Sequence, residues 1–184
     1  MTRNRFIKIT GLSLTLLLFF FVAEITFGAR VEEEARVKTA YIYNFCKYVT
    51  WPDSADEEPF NICLLGQDPL VEQLAMLEQK KVKSRNIVVK SFSSCSAAQR
   101  CEVLFVSATK KENLAVIIPS FKGLPVLTIS DIKGFAQKGG MIELVKQENK
   151  IRFIINKQRL DDAKLTMSSR LLKLATIVDG EQSQ

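Results

Sequence analysis

Between residues 37 and 49 apolar side chains recur at helical spacing. Val37, Ala40, Tyr41, Asn44, Phe45 and Tyr48 share one face, and Ile42, Cys46 and Val49 widen it past half the circumference. The pattern predicts a helix buried on two sides. Lys38 and Asn44 are polar residues inside that arc, and a buried ammonium or amide needs partners. Pro52 predicts the helix end, because the residue before a proline is pushed out of the α region. Trp51, the sole tryptophan, stands at that exit and anchors the turn that follows. A polar, acidic loop from Asp53 to Pro59 comes next. Beyond it, short apolar runs bounded by turn residues alternate with amphipathic stretches. Phe60–Gly66, Asn86–Phe92, Cys101–Ser107 and Gly123–Asp131 read as strands. Asp68 as N-cap and Pro69 at the first position open a helix with Val71, Leu74, Ala75 and Leu77 on its apolar side. Ser93–Arg100 is a loop or short helix. Thr109–Ser120 is a helix with Leu114, Ile117 and Ile118 inward. Met141–Lys146 and Lys150–Asn156 flank Gln-Glu-Asn as an antiparallel hairpin. Ser168 caps a last helix carrying Leu171, Leu174, Ala175 and Val178 on one face, and the tail after Asp179 is polar. The order predicts an α/β fold: a mostly parallel sheet with helices on both faces and an antiparallel C-terminal hairpin at one edge.

Residues 1–28 stand outside this pattern. Arg3, Arg5 and Lys8 form a basic stretch, Leu12–Ala23 is apolar but short for a membrane span, and Thr26-Phe27-Gly28 offers small residues for cleavage before Ala29. The expectation is a cleaved signal peptide over 1–28, an uncleaved anchor being the alternative, and a single domain over 29–184. Removing 1–28 leaves 23 basic and 19 acidic residues, a net charge of +4. These charges are scattered, without a basic stripe interleaved with aromatics, so nucleic acid is not an expected partner.

The chain contains no histidine, which excludes Ser-His-Asp and Cys-His catalysis. Without histidine or a C-x-x-C pair, neither a zinc site nor a thioredoxin-type motif is expected, and no carboxylate cluster has calcium spacing. Gly139-Gly140 precedes a strand and lacks phosphate-loop spacing, so it reads as a backbone bend. Asp131 ends a strand where α/β folds place ligands, although a single carboxylate is no acid/base pair. No cofactor is expected. Four cysteines allow three pairings. Cys63 in the first strand and Cys101 at the start of the third can lie within disulfide reach in a parallel sheet. Cys46 reads as a buried free thiol. Cys95 is free, pairs locally in place of Cys63, or links two chains into a homodimer.

Lys38-Thr-Ala-Tyr-Ile-Tyr-Asn-Phe-Cys-Lys-Tyr-Val49 followed by Trp51-Pro52 resembles the opening of the YfiR family. Phe60–Pro69, Cys101-Glu-Val-Leu-Phe-Val106, Pro125-Val-Leu-Thr-Ile-Ser-Asp131, Phe135-Ala with Gly139-Gly-Met-Ile-Glu-Leu144, Arg152-Phe-Ile-Ile-Asn156 and Ser168-Ser-Arg-Leu-Leu-Lys-Leu-Ala175 are similar to further segments of that family, in order. The series, in this order, is specific. The resemblance implies a Cys63–Cys101 bridge. It also implies a non-enzymatic periplasmic protein that holds down a membrane-bound diguanylate cyclase, and so cyclic di-GMP signalling, by binding its periplasmic sensor domain. A peptidoglycan-associated lipoprotein as a second partner, and an influence of oxidation state, belong to the same implication.

The residues leave two functional readings. In the first the chain acts by contact, and exposed aromatics such as Tyr43 on the more polar side of the first helix are candidates. The family also contains proteins that accompany sensor kinases or outer-membrane receptors. In the second the chain holds a small ligand at the carboxyl ends of the strands near Gly66, Ser107 and Asp131, served by Lys38 and Asn44. The structural alternative for those two is Asn44 bonding to backbone and Lys38 reaching solvent. Lys38, Tyr43, Asn44, Trp51 and Asp131 are thus the candidate partner- or ligand-binding residues.

Overall fold

The computed structural model describes residues 31–52, 59–148 and 150–179. The expected signal peptide, most of the acidic loop and the end of the polar tail lie outside them. The chain falls into two units, Met1–Arg36 and Val37–Gln184. In the first, residues 31–36 are helical and Arg36 pairs with Glu33. The second carries the sheet and its covering helices.

Helix α1 (31–48) is followed by β1 (Val49–Thr50). The chain continues through β2 (Phe60–Leu65), α2 (Leu70–Ala75), β3 (Lys81–Val82), β4 (Arg85–Phe92), α3 (Cys95–Ala98) and β5 (Val103–Val106). After a 3-10 segment, Ala108–Asn113, come α4 (Leu114–Ser120), β6 (Leu127–Ser130), β7 (Ile142–Gln147) and β8 (Lys150–Asn156). The chain closes with α5 (Lys157–Asp162), β9 (Thr166–Met167), α6 (Ser169–Leu172) and β10 (Thr176–Val178).

The main sheet has the order β10-β8-β7-β6-β5-β2-β4-β3. β4, β2, β5, β6 and β7 run parallel, and β7 and β8 form the antiparallel hairpin. All four residues of β5 and all four of β6 are buried, as strands covered on both faces require. Register shows what covers each face. Leu64, Phe105, Ile129 and Ile142 are lateral neighbours on one face, and Leu144 on that face lies opposite Phe153. There α1 packs: the Phe45 ring meets Phe153 edge-on at 5.2 Å and Tyr41 lies 5.6 Å from it. On the other face Cys63, Leu65, Leu104 and Val106 pack with Ala98 of α3, with Leu114 and Ile117 of α4, and with Phe121 and Phe135. Helices therefore cover both faces, and a fully buried side chain such as Phe45 contributes about 1.5–3 kcal/mol.

The first and last helices depart from the sequence pattern. From Val37 onward the buried residues of α1 are Thr39, Ile42, Phe45 and Cys46, whereas Ala40, Asn44 and Tyr48 form an exposed row. The arc is rotated because Tyr41 needs only its ring covered: it sits at the boundary and its hydroxyl donates to Ile151 O at 3.0 Å. The helix also ends before Pro52. Val49 and Thr50, both β-branched, pair with Met167 and Thr166 of β9, and Tyr48 O accepts from Ser168 N. The last helix stops after four residues. Thr176-Ile177-Val178 pairs in parallel with Ile154–Asn156, adding β10 outside the hairpin and leaving Leu174 exposed. Ser168 holds the N-cap place of α6 without capping it through its side chain.

Candidate functional site

Lys38 and Asp131, 93 residues apart, are brought together. Lys38 Nζ donates to Asp131 Oδ2 at 2.7 Å, with the two side chains 14% and 22% exposed. α1 runs over the sheet so that Lys38 faces the end of β6. The lysine therefore ends in an ion pair rather than in solvent, and it has a further partner. Asp131 Oδ1 is buried and bonds to no described residue.

Gly66 and Ser107 follow β2 and β5, the neighbours between which the strand order reverses, where α/β sheets commonly hold ligands. Here the two loops fill that crevice themselves. Ser107 Oγ donates to Gln67 O at 2.6 Å and accepts from Thr109 N at 3.2 Å. Thr109 Oγ1 accepts from Gln67 N at 3.2 Å. Gly66 has φ +105°, and a Cβ there would meet Thr109 Oγ1 at 2.6 Å. A cavity of about 590 Å³ lies elsewhere, along α4.

Asn44 is exposed, away from Lys38 and Asp131, which corrects its placement inside the buried arc. Tyr43 is half-buried and is not on an empty polar side. Its hydroxyl donates to Lys81 O at 3.2 Å, and its ring lies beneath Lys47 at 5.5 Å and Lys80 at 5.2 Å. Lys47 also covers the Tyr48 ring at 5.9 Å. The result is a basic, aromatic surface made by α1 and the β3 hairpin, with ammonium groups held over ring faces.

Trp51 is buried, and serves the turn after β1. Nε1 donates to Glu102 O at 3.1 Å, and its ring meets Phe60 edge-on at 5.2 Å. The Glu102 carboxylate pairs with Arg85 and accepts from Asn61 N at 2.8 Å. Arg85, 6% exposed, also donates to Pro59 O at 2.9 Å and stacks over Phe60 at 5.2 Å. The basic run at residues 80–85 thus ends inside the protein, a placement its composition does not announce.

Cys63 and Cys101 form a disulfide with a Cα separation of 6.1 Å. Cys95 and Cys46 are free thiols. Burial pushes the Cys46 thiol well above the ordinary thiol range; a backbone hydrogen bond opposes this, and the Glu102 charge adds to it. Glu143 is a buried carboxylate held by backbone: its two oxygens accept from Gly134 N at 3.0 Å and Ala136 N at 3.2 Å. Asn156 Nδ2 donates to Ala136 O at 2.9 Å. These bonds fix the turn that leads into Gly139 and Gly140.

Residues 35–176 match the family model described as YfiR/HmsC-like. No protein of curated function matches the chain.

Proposed function

The chain belongs to the YfiR/HmsC-like family, and from that membership we propose that it is an exported periplasmic regulator that inhibits a membrane-bound diguanylate cyclase by binding its periplasmic domain. The match over residues 35–176 carries the reading. The sequence supports export through its basic and apolar N-terminal stretch. Action is by contact, without chemistry. The surface formed by Tyr43, Tyr48, Lys47 and Lys80 suits the task, because an aromatic anchor already held by neighbouring side chains loses little entropy on binding. Its charge favours an acidic stretch of the partner domain. A peptidoglycan-associated lipoprotein then relieves inhibition by competing for this regulator.

The test is to tag the C-terminus, crosslink in the source cells, purify from membranes and identify what is recovered. A diguanylate cyclase is expected, and deleting the gene should raise cyclic di-GMP. A sensor kinase or outer-membrane receptor in its place, with cyclic di-GMP unchanged by deletion, would overturn the cyclase assignment. Tyr43→Ala should weaken the crosslink while leaving the fold intact.

A further inference from the structure

We propose that the cavity along α4 is a binding site for a small anionic amphiphile: an apolar body carrying one carboxylate, sulfonate or phosphate. Its volume of about 590 Å³ falls within the range of ligand pockets. Leu114, Phe121 and Met141, all buried, give it an apolar wall. Lys111, Lys122 and Lys138 line it as well, from three separate parts of the chain. None of their ammonium groups has a hydrogen-bond or ion-pair partner among the described residues.

The rest of the lining sorts by charge. Arg159 lies against Gly139 and is bonded to Asp162 at 3.3 Å, so that pair neutralises itself. Glu112 is the remaining carboxylate, against three lysines. The cavity is therefore net positive. Thr128 adds a polar point to the wall: it is 6% exposed, and its Oγ1 already accepts from Met141 N at 3.1 Å, which leaves the hydroxyl hydrogen free to donate. An apolar wall buries the body of a ligand, and unpaired ammonium groups at the mouth hold its head. A neutral apolar molecule gains only the first, and a bare anion such as phosphate only the second.

The lining belongs to the 3-10 segment, α4, β6, the turn carrying Gly139 and α5, whereas the Tyr43 surface belongs to α1 and the β3 hairpin. Occupancy here therefore does not compete sterically with a partner bound there. The site offers an input that is separate from the output surface.

The experiment uses two fluorescent probes with the same rings. 8-Anilinonaphthalene-1-sulfonate carries the anion, and N-phenyl-1-naphthylamine lacks it. The folded protein should bind the sulfonate at one site per chain and more tightly than the neutral probe. Replacing Lys122→Gln and Lys138→Gln together should weaken the sulfonate about fivefold and leave the neutral probe unchanged. Ala115→Trp, an exposed lining position, should block both. Octanoate and octyl phosphate should each displace the sulfonate, and the better of the two identifies the preferred head group. Equal affinity for the two probes would overturn the proposal. So would wild-type sulfonate affinity in the double lysine variant, or in Ala115→Trp with an unchanged melting temperature.

Discussion

Lys38 Nζ lies 2.7 Å from Asp131 Oδ2, and this contact ties the first helix to the carboxyl end of β6. Both side chains are mostly covered, so removing one leaves the other charged and poorly solvated. Lys38→Ala and Asp131→Ala should each destabilise by about 2 kcal/mol, and the double variant by less than their sum, with a coupling of about 1 kcal/mol. Urea unfolding of the four proteins measures this. Additive losses would mean that the contact between the two side chains contributes nothing to the folded state.

The Cys63–Cys101 bridge closes a loop with a sequence separation of 38. In the chain-entropy model such a loop stabilises by about 4 kcal/mol. Replacing both cysteines by alanine should lower the free energy of unfolding by roughly that amount, and a reducing agent should do the same to the parent. Cys95→Ala should leave the oxidised protein's stability within about 0.5 kcal/mol. If Cys95 took Cys63's place in the bridge, its loss would cost as much as theirs.

Cys46 predicts an alkaline limit. In the folded protein burial keeps the thiol protonated, whereas the unfolded chain ionises near the ordinary value of 9.0. Above that pH the unfolded state binds fewer protons, so stability falls as pH rises, by up to about 1.4 kcal/mol per unit from this group. Cys46→Ala should flatten the slope above pH 9 at the cost of a small cavity. Native protein at pH 8 should react with a thiol reagent at Cys95 and not at Cys46. Rapid labelling of Cys46 would contradict its burial.

Arg85 and Glu102 join β4 to β5 at the amino ends of the strands, beside Trp51. Arg85→Ala should cost about 3 kcal/mol because it strands a covered carboxylate. It should also shift Trp51 emission to the red as water reaches the ring. A melting temperature within a degree of the parent would show that Glu102 is solvated without its partner.

Gly140 and Glu143 make the turn after β6 intolerant of change. A Cβ on Gly140 would meet the Phe135 ring at 2.2 Å, so Gly140→Ala forces that buried ring to move. Glu143→Gln turns one of two acceptors into a donor facing a backbone N–H, at a cost of about 2 kcal/mol. Thermal melts of both variants should fall well below the parent.

The strands were the most legible part of the sequence. Runs such as Val103–Val106 are apolar throughout, so little else competes with their assignment. α1 was legible as a helix but not in its rotation. Tyrosine and alanine fit both the core and its margin, and only the contacts with Ile151 and Phe153 of β8 decide which way Tyr41 turns. Thr176–Val178 follows apolar residues at helical spacing, and the free edge of β8 draws it into a strand instead. Within the candidate site, Asp131 was marked by its place at a strand end, and Lys38 by its place in the helix. Their pairing needed the fold. The cavity lysines carried no signal, because 111, 122 and 138 share no motif and come to line one cavity only when the 3-10 segment, the end of α4 and the turn carrying Gly139 are folded together.

Apart from Tyr43, held by Lys80 and Lys81, the attachments of α1 and of the strand that follows it lie far down the chain. Lys38 waits for Asp131, Tyr41 for Ile151, Phe45 for Phe153 and Val49 for Met167. A chain made from its amino end therefore has this helix finished long before its seat exists. Ile42, Phe45 and Cys46 stay uncovered through most of synthesis, open to any helper that grips apolar helices. A chain stopped before residue 150 lacks the partners of Tyr41, Phe45 and Val49, and so leaves the first helix only partly seated.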